Sequence, residues 1–327
     1  MKTIDQTVKQ YESAADNMLN AVEVEFNSRL ENLFCGLGDG SLTPELFSGK
    51  RLRSRLFVIF ALSGGLSLDA EPDTCSLAAA VELLHEASLL HDDVIDSAQI
   101  RRHKPSVSSA DGNKKAVLLG DLLITEAFSA IPDGFISKTV GLFVRTTANM
   151  CRAELSQINS DPMSGMDKYL EIIGGKTASL FSLGARLGAL AGGCSASESA
   201  SAAEFGRAFG IAYQMADDYC DMFAASERTG KPRFQDIKTG IATLPLIVAK
   251  EVMPPNEFSR LLELISDSQA DAAAELLREH RVDYYASRLI KDSCGESFSR
   301  LWLEESDPAF ILLKSLSQSC FGEFTYL

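Results

Sequence analysis

The feature that most constrains this chain is the spacing of its apolar residues, which recur about every 3.6 positions along nearly the whole length. Alternating runs of β-branched residues are almost absent. Nine of the ten prolines fall at breaks in the pattern, usually near Gly, Ser, Asp or Asn, as expected of turns between helices. The remaining one, Pro245, fits the first turn of a helix. The sequence therefore predicts an all-α fold.

The breaks separate long stretches that we predict to be helices, over residues 73–96, 112–131, 134–160, 166–192 and 196–224. No shift in composition marks a boundary, and 327 residues with 46% hydrophobic content can bury a large core. We therefore expect one large helical domain over residues 1–327. Small residues are frequent in GARLGALAGG and GRAFGIAYQMADD, which lets helices approach closely, either around a central cavity or in ordinary core packing.

Charge and cysteine content narrow the function classes. The formal net charge of −14 disfavours nonspecific binding to nucleic acid or to an anionic membrane. No stretch approaches the roughly 18 uncharged apolar residues of a membrane span, and MKTIDQTVKQYESAADN has no apolar signal-peptide region. The seven cysteines are scattered singly, which favours reduced thiols over a disulfide framework or zinc site. We therefore expect a cytoplasmic protein without a transmembrane segment.

The stretch LLHDDVIDSAQIRR (89–102) places three carboxylates at the end of an apolar helix, with two arginines just after them. Helical spacing puts Asp92 and Asp96 on one face and Asp93 about 100° away. Such carboxylates repel unless a cation neutralises them. Hard oxygen ligands suit Mg²⁺, which takes one or two carboxylates and otherwise binds water and phosphate oxygens. For one motif alone, a solvated acidic helix end is the simpler interpretation.

A second motif, YQMADDYCDMF (213–223), repeats the spacing at the end of another long helix, with Asp217, Asp218 and Asp221. The chain also places its cations in small groups near such motifs, namely Lys50, Arg51, Arg53, Arg55, Arg101, Arg102, Lys176 and Lys231. In an acidic chain, cations arranged around paired aspartates indicate a multiply charged anion bridged by metal. A diphosphate fits this pattern best.

Five ordered segments resemble those of the trans-isoprenyl diphosphate synthases, the polyprenyl synthetase family. They are GKRLR (49–53), HEASLLHDDVID (85–96) followed by RR, GGKTASLF (174–181), YQMADDYCD (213–221) and GKPRFQDI with TLPLI (230–247). The resemblance covers about residues 45–250. It implies a single all-α domain of the isoprenoid synthase type, usually a homodimer, with long helices around a deep central cavity and the two Asp-rich motifs facing across its mouth.

The resemblance also implies an activity and its residues. Isopentenyl diphosphate would be joined to an allylic primer, such as geranyl, farnesyl or geranylgeranyl diphosphate. Two or three Mg²⁺ ions would be held by Asp92, Asp93, Asp96, Asp217 and Asp221, with Asp218 acting through water or by orienting its neighbours. Isopentenyl diphosphate would bind Lys50, Arg53, His85 and Arg102. The allylic diphosphate would bind Arg101, Lys176, Thr177, Gln214 and Lys231. We interpret Arg51 and Arg55 as solvated or structural.

Product length is a separate expectation. Moving from Asp92 toward the start of its helix descends into the implied cavity by about 1.5 Å per residue. Ala87 and Ser88, one turn before Asp92, are small, whereas short-chain relatives carry a blocking aromatic residue near this depth. We therefore expect a medium- or long-chain all-trans product, with Leu84 as a candidate floor deeper in the cavity.

Two departures from the family pattern keep alternatives open. His103 follows the arginine pair where the family commonly has Gly, and Ile241 stands where the family usually has Lys. A class I terpene cyclase would share the helical cavity and the first Asp motif, but usually has a different second metal motif. A noncatalytic subunit of a heteromeric synthase would be expected to have eroded Asp motifs, and both motifs are intact here.

Overall fold

The computed structural model describes residues 4–38, 42–65, 71–161, 163–223 and 241–325. Its α-helices are α1 (Ile4–Leu37), α2 (Leu52–Ser63), α3 (Pro72–Ile95), α4 (Val107–Asp111), α5 (Asn113–Ser129), α6 (Asp133–Ile158), α7 (Met166–Ile173), α8 (Ser179–Ala191), α9 (Ala196–Phe223), α10 (Leu244–Val252), α11 (Pro255–Ser266), α12 (Ala270–Glu279), α13 (Val282–Ser299) and α14 (Pro308–Thr325). A 3₁₀ helix (Pro44–Phe47) precedes α2, and β1 (Ile100–Arg101) pairs with β2 (Lys104–Pro105) in a short antiparallel hairpin. The all-α prediction is confirmed.

Most predicted helices agree with the structure to within a few residues, and Pro245 lies in the first turn of α10 as expected. The predicted helix over residues 166–192 differs. It consists of α7 and α8 joined by a π-helical segment (Gly174–Ala178) that begins with two glycines. Glycine has a low helix propensity, and an added residue in a π turn is a common feature of functional sites.

The chain forms two compact units, each made of several chain segments. Unit 1 comprises residues 1–147, 180–206 and 301–315, and unit 2 comprises residues 148–179, 207–300 and 316–327. The division passes through the interiors of α6, α9 and α14, which are continuous helices. The first Asp-rich motif belongs to unit 1 and the second belongs to unit 2.

In unit 1, α3 is the central helix and packs against α1, α2, α4 and α5. Four consecutive residues of α3, from Ala78 to Val81, have no solvent exposure, so this helix is apolar on every side in its middle. Gly184 and Gly188 of α8 and the following Gly192 lie against backbone atoms of α2, where an added Cβ would collide. The small residues of GARLGALAGG therefore produce close helix packing, as expected.

In unit 2, α10 packs against α7, α11 and α13. Its residues Leu244 to Ala249 are all buried, and the neighbouring helices also bury apolar side chains, such as those of Leu261 and Ile290. This packing fixes the N-terminus of α10, which contributes a backbone N–H group to the second Asp-rich motif, as described below. Among the described helices, none combines the length and hydropathy needed to cross a membrane.

Candidate active site

The three aspartates of the first motif lie in different environments at the C-terminal end of α3. Asp92 is partly buried, and Asp96, just after the helix, is exposed. The N–H of Asp96 donates to the carbonyl of Asp92 at 2.8 Å, so the two residues are one turn apart as predicted. The last turn of α3 contains no basic residue, although a helix C-terminus disfavours carboxylates electrostatically. The carboxylates of the first motif therefore lie at an electrostatically unfavourable position, the C-terminal end of α3.

Asp93 is turned inward and buried, with only 2% of its surface exposed. Its two carboxylate oxygens accept hydrogen bonds from Nε of Arg101 at 2.7 and 2.8 Å, and Nη2 of Arg101 lies 2.7 Å from Oδ1. The sequence predicted Asp93 as a metal ligand and Arg101 as a diphosphate ligand. The structure pairs these two residues with each other, and both roles stay predictions.

Arg102 occupies the turn of the hairpin and is held by a second carboxylate of α3. Its Nη2 donates to Oε1 of Glu86 at 2.9 Å, and its Nη1 donates to Oε2 at 3.2 Å. Nη1 also donates to the carbonyl of Leu46 at 3.4 Å. A Cβ built on Gly49 would lie 3.3 Å from Nη2, so the GKR segment passes directly beside this guanidinium.

His85 and Arg53 complete a basic group with Arg102. Burial, followed by the charges of Arg53 and Arg102, holds the pKa of His85 well below its usual value, so the imidazole is neutral at pH 7. The guanidinium of Arg53 lies over the ring of Phe181 at 4.5 Å. Lys50 is exposed and precedes α2. The structure therefore brings together three of the four residues predicted for isopentenyl diphosphate, with Lys50 in the adjoining segment.

The other two cations of the GKRLR segment and its continuation have different environments. The Arg51 guanidinium lies 4.0 Å from the centre of the Phe26 ring and its Nε donates to Glu23 at 2.6 Å. Nη1 of Arg51 also lies 3.5 Å from Oε1 of Glu86. Arg55 is exposed and donates to the carbonyl of Lys50. Arg51 is thus structural and Arg55 solvated, in line with the sequence interpretation.

In unit 2, the second motif lies in the last two turns of α9. Asp217 is exposed, Asp221 is partly buried, and Asp218 is buried. Asp218 accepts from Tyr169 Oη at 2.7 Å, from Gln214 Nε2 at 2.9 Å and from the Leu244 N–H at 3.1 Å. Burial raises the pKa of Asp218 to about 7, although these three hydrogen bonds oppose the rise. Asp218 therefore links α7, α9 and α10.

The π-helical segment directs two predicted site residues toward different helices of unit 2. Nζ of Lys176 lies 2.5 Å from Oε2 of Glu154 on α6. Thr177 Oγ1 donates to Gln214 Oε1 at 2.7 Å. Thr177 and Gln214 are therefore joined to Asp218 in one hydrogen-bonded chain. Lys231, the remaining residue predicted for the allylic diphosphate, lies outside the described residues, and Ile241 is partly buried.

The residues predicted to set product length lie in the interior of α3. Ala87 is fully buried and Leu84 is 2% exposed, whereas Ser88 is partly buried and donates to the carbonyl of His85 at 2.8 Å. Over the described ranges, no three His, Cys, Asp or Glu side chains converge closely enough to hold a metal ion by themselves. Any metal at the aspartates would need further ligands.

Comparison with known proteins identifies the family of this chain. The family model described as polyprenyl synthetase matches residues 42–280. The chain belongs to this family. It is 31% identical to a short chain isoprenyl diphosphate synthase of Methanothermobacter thermautotrophicus, over 79% of this chain and 82% of the relative. It is also 31% identical to heptaprenyl diphosphate synthase component 2 of Geobacillus stearothermophilus, over 71% and 72% of the respective chains.

A solved structure extends the similarity to nearly the whole fold. A polyprenyl synthase from Caulobacter crescentus, complexed with calcium and isoprenyl diphosphate, superposes with a TM-score of 0.84 at 28% identity, covering 96% of this chain and 97% of that chain. This polyprenyl synthetase therefore has the isoprenoid synthase fold and is a prenyltransferase.

Sequence reasoning missed two acidic residues of this polyprenyl synthetase, Glu86 and Glu154. Both are buried, and each contacts a predicted diphosphate ligand. A signal was present, because neither residue has a Lys or Arg three or four positions away on its own helix. A carboxylate in an apolar helix without such a neighbour indicates a partner elsewhere in the fold.

Proposed function

We propose that this polyprenyl synthetase condenses isopentenyl diphosphate with an allylic diphosphate primer in a Mg²⁺-dependent reaction. One observation carries the proposal: α3 presents His85, beside Arg53 and Arg102, and two turns later the acidic pair Asp92 and Asp96. Seven residues of helix correspond to about 10 Å, so one rigid element carries groups suited to an anion and groups suited to a cation. A reaction between two substrates that each bear a diphosphate needs groups that bind an anion directly and groups that bind a metal cation.

The carboxylates present fit Mg²⁺. Asp92 with Asp96, and Asp217 with Asp221, each lie one turn apart at a helix C-terminus, where a bound cation offsets the unfavourable charge. Mg²⁺ takes one or two protein carboxylates and completes its shell with water and phosphate oxygens. When bound, two or three such ions would neutralise the primer diphosphate and make it a better leaving group.

The remaining roles are proposed from the family resemblance, and the contacts described above support some of them. Asp93 orients Arg101, and Asp218 orients Gln214, since both carboxylates are buried and already bonded to these side chains. Isopentenyl diphosphate is bound by Lys50, Arg53, His85 and Arg102. The primer diphosphate is bound by Arg101, Lys176, Thr177, Gln214 and Lys231.

The chemistry breaks the allylic C1–O bond, and its electron pair leaves with the diphosphate. The double bond of isopentenyl diphosphate supplies the electrons of the new C–C bond to C1. Loss of a proton from the neighbouring carbon forms the new double bond, and the released diphosphate takes that proton. The chain's own cations stabilise the negative charge on the departing oxygen. This stabilisation is strong because the cations are already oriented in a site poor in water. No side chain is assigned as a general base.

The product is a medium- or long-chain all-trans polyprenyl diphosphate, grown from geranyl, farnesyl or geranylgeranyl diphosphate. The small side chains of Ala87 and Ser88 support this length, since neither blocks a growing chain one turn before Asp92. Leu84, about another turn deeper, is the proposed floor. The relatives that this chain resembles include both a short chain synthase and a heptaprenyl synthase component, so membership of the family does not fix the product length.

The functional molecule is a homodimer of single-domain chains that works in the cytoplasm. Continuity of α6 and α9 across the two compact units supports a single domain. Exposed apolar residues on α5 and α6, including Leu118 and Val144, support a protein partner, for which a second copy is the simplest candidate. Seven free cysteines support a reducing compartment.

The test is a product assay with purified protein, labelled isopentenyl diphosphate and each primer in turn, with Mg²⁺ or with excess EDTA. We expect labelled, longer diphosphates that disappear with EDTA and return with added Mg²⁺, while helical content stays unchanged. Hydrocarbons formed from the primer alone would indicate cyclisation instead. An absence of turnover with every primer would contradict an independent catalytic role.

A further inference from the structure

The two arginines that follow the first Asp motif are each held by a carboxylate of α3. Arg101 is paired with Asp93, and Arg102 is paired with Glu86. The two acids are seven residues apart, which places them on one face of the helix two turns from each other. The hairpin is therefore fastened to α3 at two points by ion pairs with buried acids, and Glu86 provides the second point.

Glu86 forms its pair with Arg102 in a desolvated position. Only 3% of the Glu86 side chain is exposed, whereas 29% of the Arg102 side chain is exposed. Burial raises the pKa of Glu86, and the hydrogen bonds and charge of Arg102, together with the charge of Arg51, act against that rise. In such surroundings a two-pronged arginine–carboxylate contact is strong and directional.

The hydrogen bonds that hold Arg102 leave part of its guanidinium available for a ligand. Glu86 and the Leu46 carbonyl accept from both Nη1 hydrogens and one Nη2 hydrogen. Within the described part of the chain, no contact is seen for the Nε–H and the second Nη2–H. These donors are the ones that a diphosphate bound beside His85 and Arg53 can use.

The backbone does not by itself hold Arg102 in place. Arg102 has φ of 50° and the next residue, His103, has φ of 63°, a conformation that side-chain-bearing residues rarely adopt. A cavity of about 260 Å³ also borders Glu86 and both arginines, with Leu46 and Leu89 on its wall. An arginine on this strained turn has room to move away unless a partner fixes it.

We propose that Glu86 is a positioning residue for isopentenyl diphosphate, which it serves by holding the Arg102 guanidinium beside His85 and Arg53. The inference rests on the proposed function, because it takes Arg102 as an isopentenyl diphosphate ligand. Glu86 itself does not touch the substrate. Its neutral isostere, Gln, removes the charge without creating a void.

The test compares steady-state kinetics of the full-length enzyme with those of Glu86→Gln, Arg102→Ala and the double variant. For Glu86→Gln we expect KM for isopentenyl diphosphate to rise about tenfold, with KM for the primer and kcat changed less than about twofold. In the double variant the effect should be no larger than in Arg102→Ala alone, because one residue acts through the other. Glu86→Asp keeps the charge on a shorter side chain and should give a smaller rise, which keeps the test valid if Glu86→Gln folds poorly.

Two control variants separate positioning from general loss of stability. Glu126→Gln breaks the part-buried ion pair with Arg29 in the same unit, at 2.7 Å, away from the proposed site. Glu23→Gln removes the charge of the carboxylate that pairs with Arg51 at 2.6 Å. Arg51 also lies 3.5 Å from Glu86. Neither control should raise KM for isopentenyl diphosphate selectively.

Five outcomes distinguish failure of the inference from failure of the function on which it rests. An unchanged KM in folded Glu86→Gln, an equal rise for both substrates, or effects of Glu86→Gln and Arg102→Ala that multiply would overturn the positioning role. The same KM change in Glu23→Gln would assign the effect to Arg51 and also overturn it. If Arg102→Ala itself leaves KM for isopentenyl diphosphate unchanged in an active enzyme, the assignment of Arg102 is wrong, and the inference falls with it.

Discussion

At the scale of single residues, the turn of the β1–β2 hairpin has a strained backbone within the proposed site. Arg101 pairs with Lys104 across the hairpin, so Arg102 and His103 form a two-residue turn with positive φ at both positions. Turns of this kind strongly favour Asn followed by Gly. The departure from the family pattern at His103 therefore has a physical meaning: a side-chain-bearing residue occupies a position suited to Gly.

Replacing His103 by Gly is expected to stabilise the protein by about 1 kcal/mol, because the left-handed conformation has no steric cost for Gly. His103→Ala is the matched control, since its Cβ keeps that cost. Chemical denaturation of both variants checks the prediction. An equal gain from Ala would show that the imidazole, rather than the backbone conformation, is responsible.

Asp218 illustrates how one carboxylate of an Asp-rich motif becomes bonded within the protein. Its pKa of about 7 lies above the value of 3.8 for an unperturbed Asp, so ionisation increasingly disfavours the folded state as pH rises between these values. The hydroxyl of Tyr169 favours the ionised form and limits that loss. This bond ties α7 to α9.

Tyr169→Phe is expected to reduce the free energy of unfolding by roughly 1 to 3 kcal/mol, because a buried acceptor loses a donor. The loss should be larger near pH 8, where Asp218 is ionised, than near pH 5, where it is protonated. Denaturation at several pH values measures it. Tyr285→Phe, at a residue that is 41% exposed, should change little at any pH. A pH-independent loss for Tyr169→Phe would argue against an ionised Asp218.

At the scale of elements, α3 combines most of the chemistry of unit 1 on one rigid support. Its fully buried middle anchors the helix, and its last three turns carry His85, Glu86 and the first Asp motif. The π-helical segment has a comparable role in unit 2, since it turns Lys176 toward α6 and Thr177 toward α9. Positions on such packed elements keep their geometry better than positions on loops.

Ala87→Phe is expected to shift the product distribution toward shorter chains, because an aromatic ring one turn before Asp92 would occupy the proposed path of the growing chain. The variant should also lose about 1 to 3 kcal/mol of stability, since Ala87 is fully buried and the site is overpacked. Chromatography of the dephosphorylated products measures the shift, and thermal unfolding confirms that the variant is folded. An unchanged distribution from a folded, active variant would refute this picture of the tunnel.

At the scale of the whole molecule, the proposed homodimer would be expected to bury an exposed apolar surface of unit 1. In the parts of α5 and α6 that belong to unit 1, four large apolar side chains are between 39% and 63% exposed: Val117, Leu118, Ile136 and Val144. The rings of Phe128 and Phe143 are 6.0 Å apart, so the two helices meet in unit 1. Exposed apolar groups on neighbouring helices are typical of subunit interfaces.

The double variant Leu118→Glu with Val144→Glu is expected to be monomeric at micromolar concentration, because a charge would be buried without a partner at each position of the interface. Size-exclusion chromatography with light scattering measures the mass. Val24→Glu on α1, at a residue that is 70% exposed, is the control and should remain dimeric. A folded double variant that stays dimeric would place the interface elsewhere.

The helical architecture and the pairing of aspartates along each helix were predictable from local sequence patterns. Apolar periodicity, proline breaks and one-turn spacing are local properties, since they involve residues that are close in the chain. The pairs Asp92 with Asp96 and Asp217 with Asp221 were predictable for that reason, as were most helix ends.

Which carboxylates remain accessible and which are bonded within the protein depends on contacts between segments that are distant in the chain. Asp93 and Arg101 lie on different elements, as do Glu86 and Arg102, and the bond from Tyr169 to Asp218 joins residues 49 positions apart. Nothing in the local pattern distinguishes Asp93 from its neighbours. Their roles differ because burial makes a carboxylate require a nearby donor, and the packing of distant segments supplies that donor.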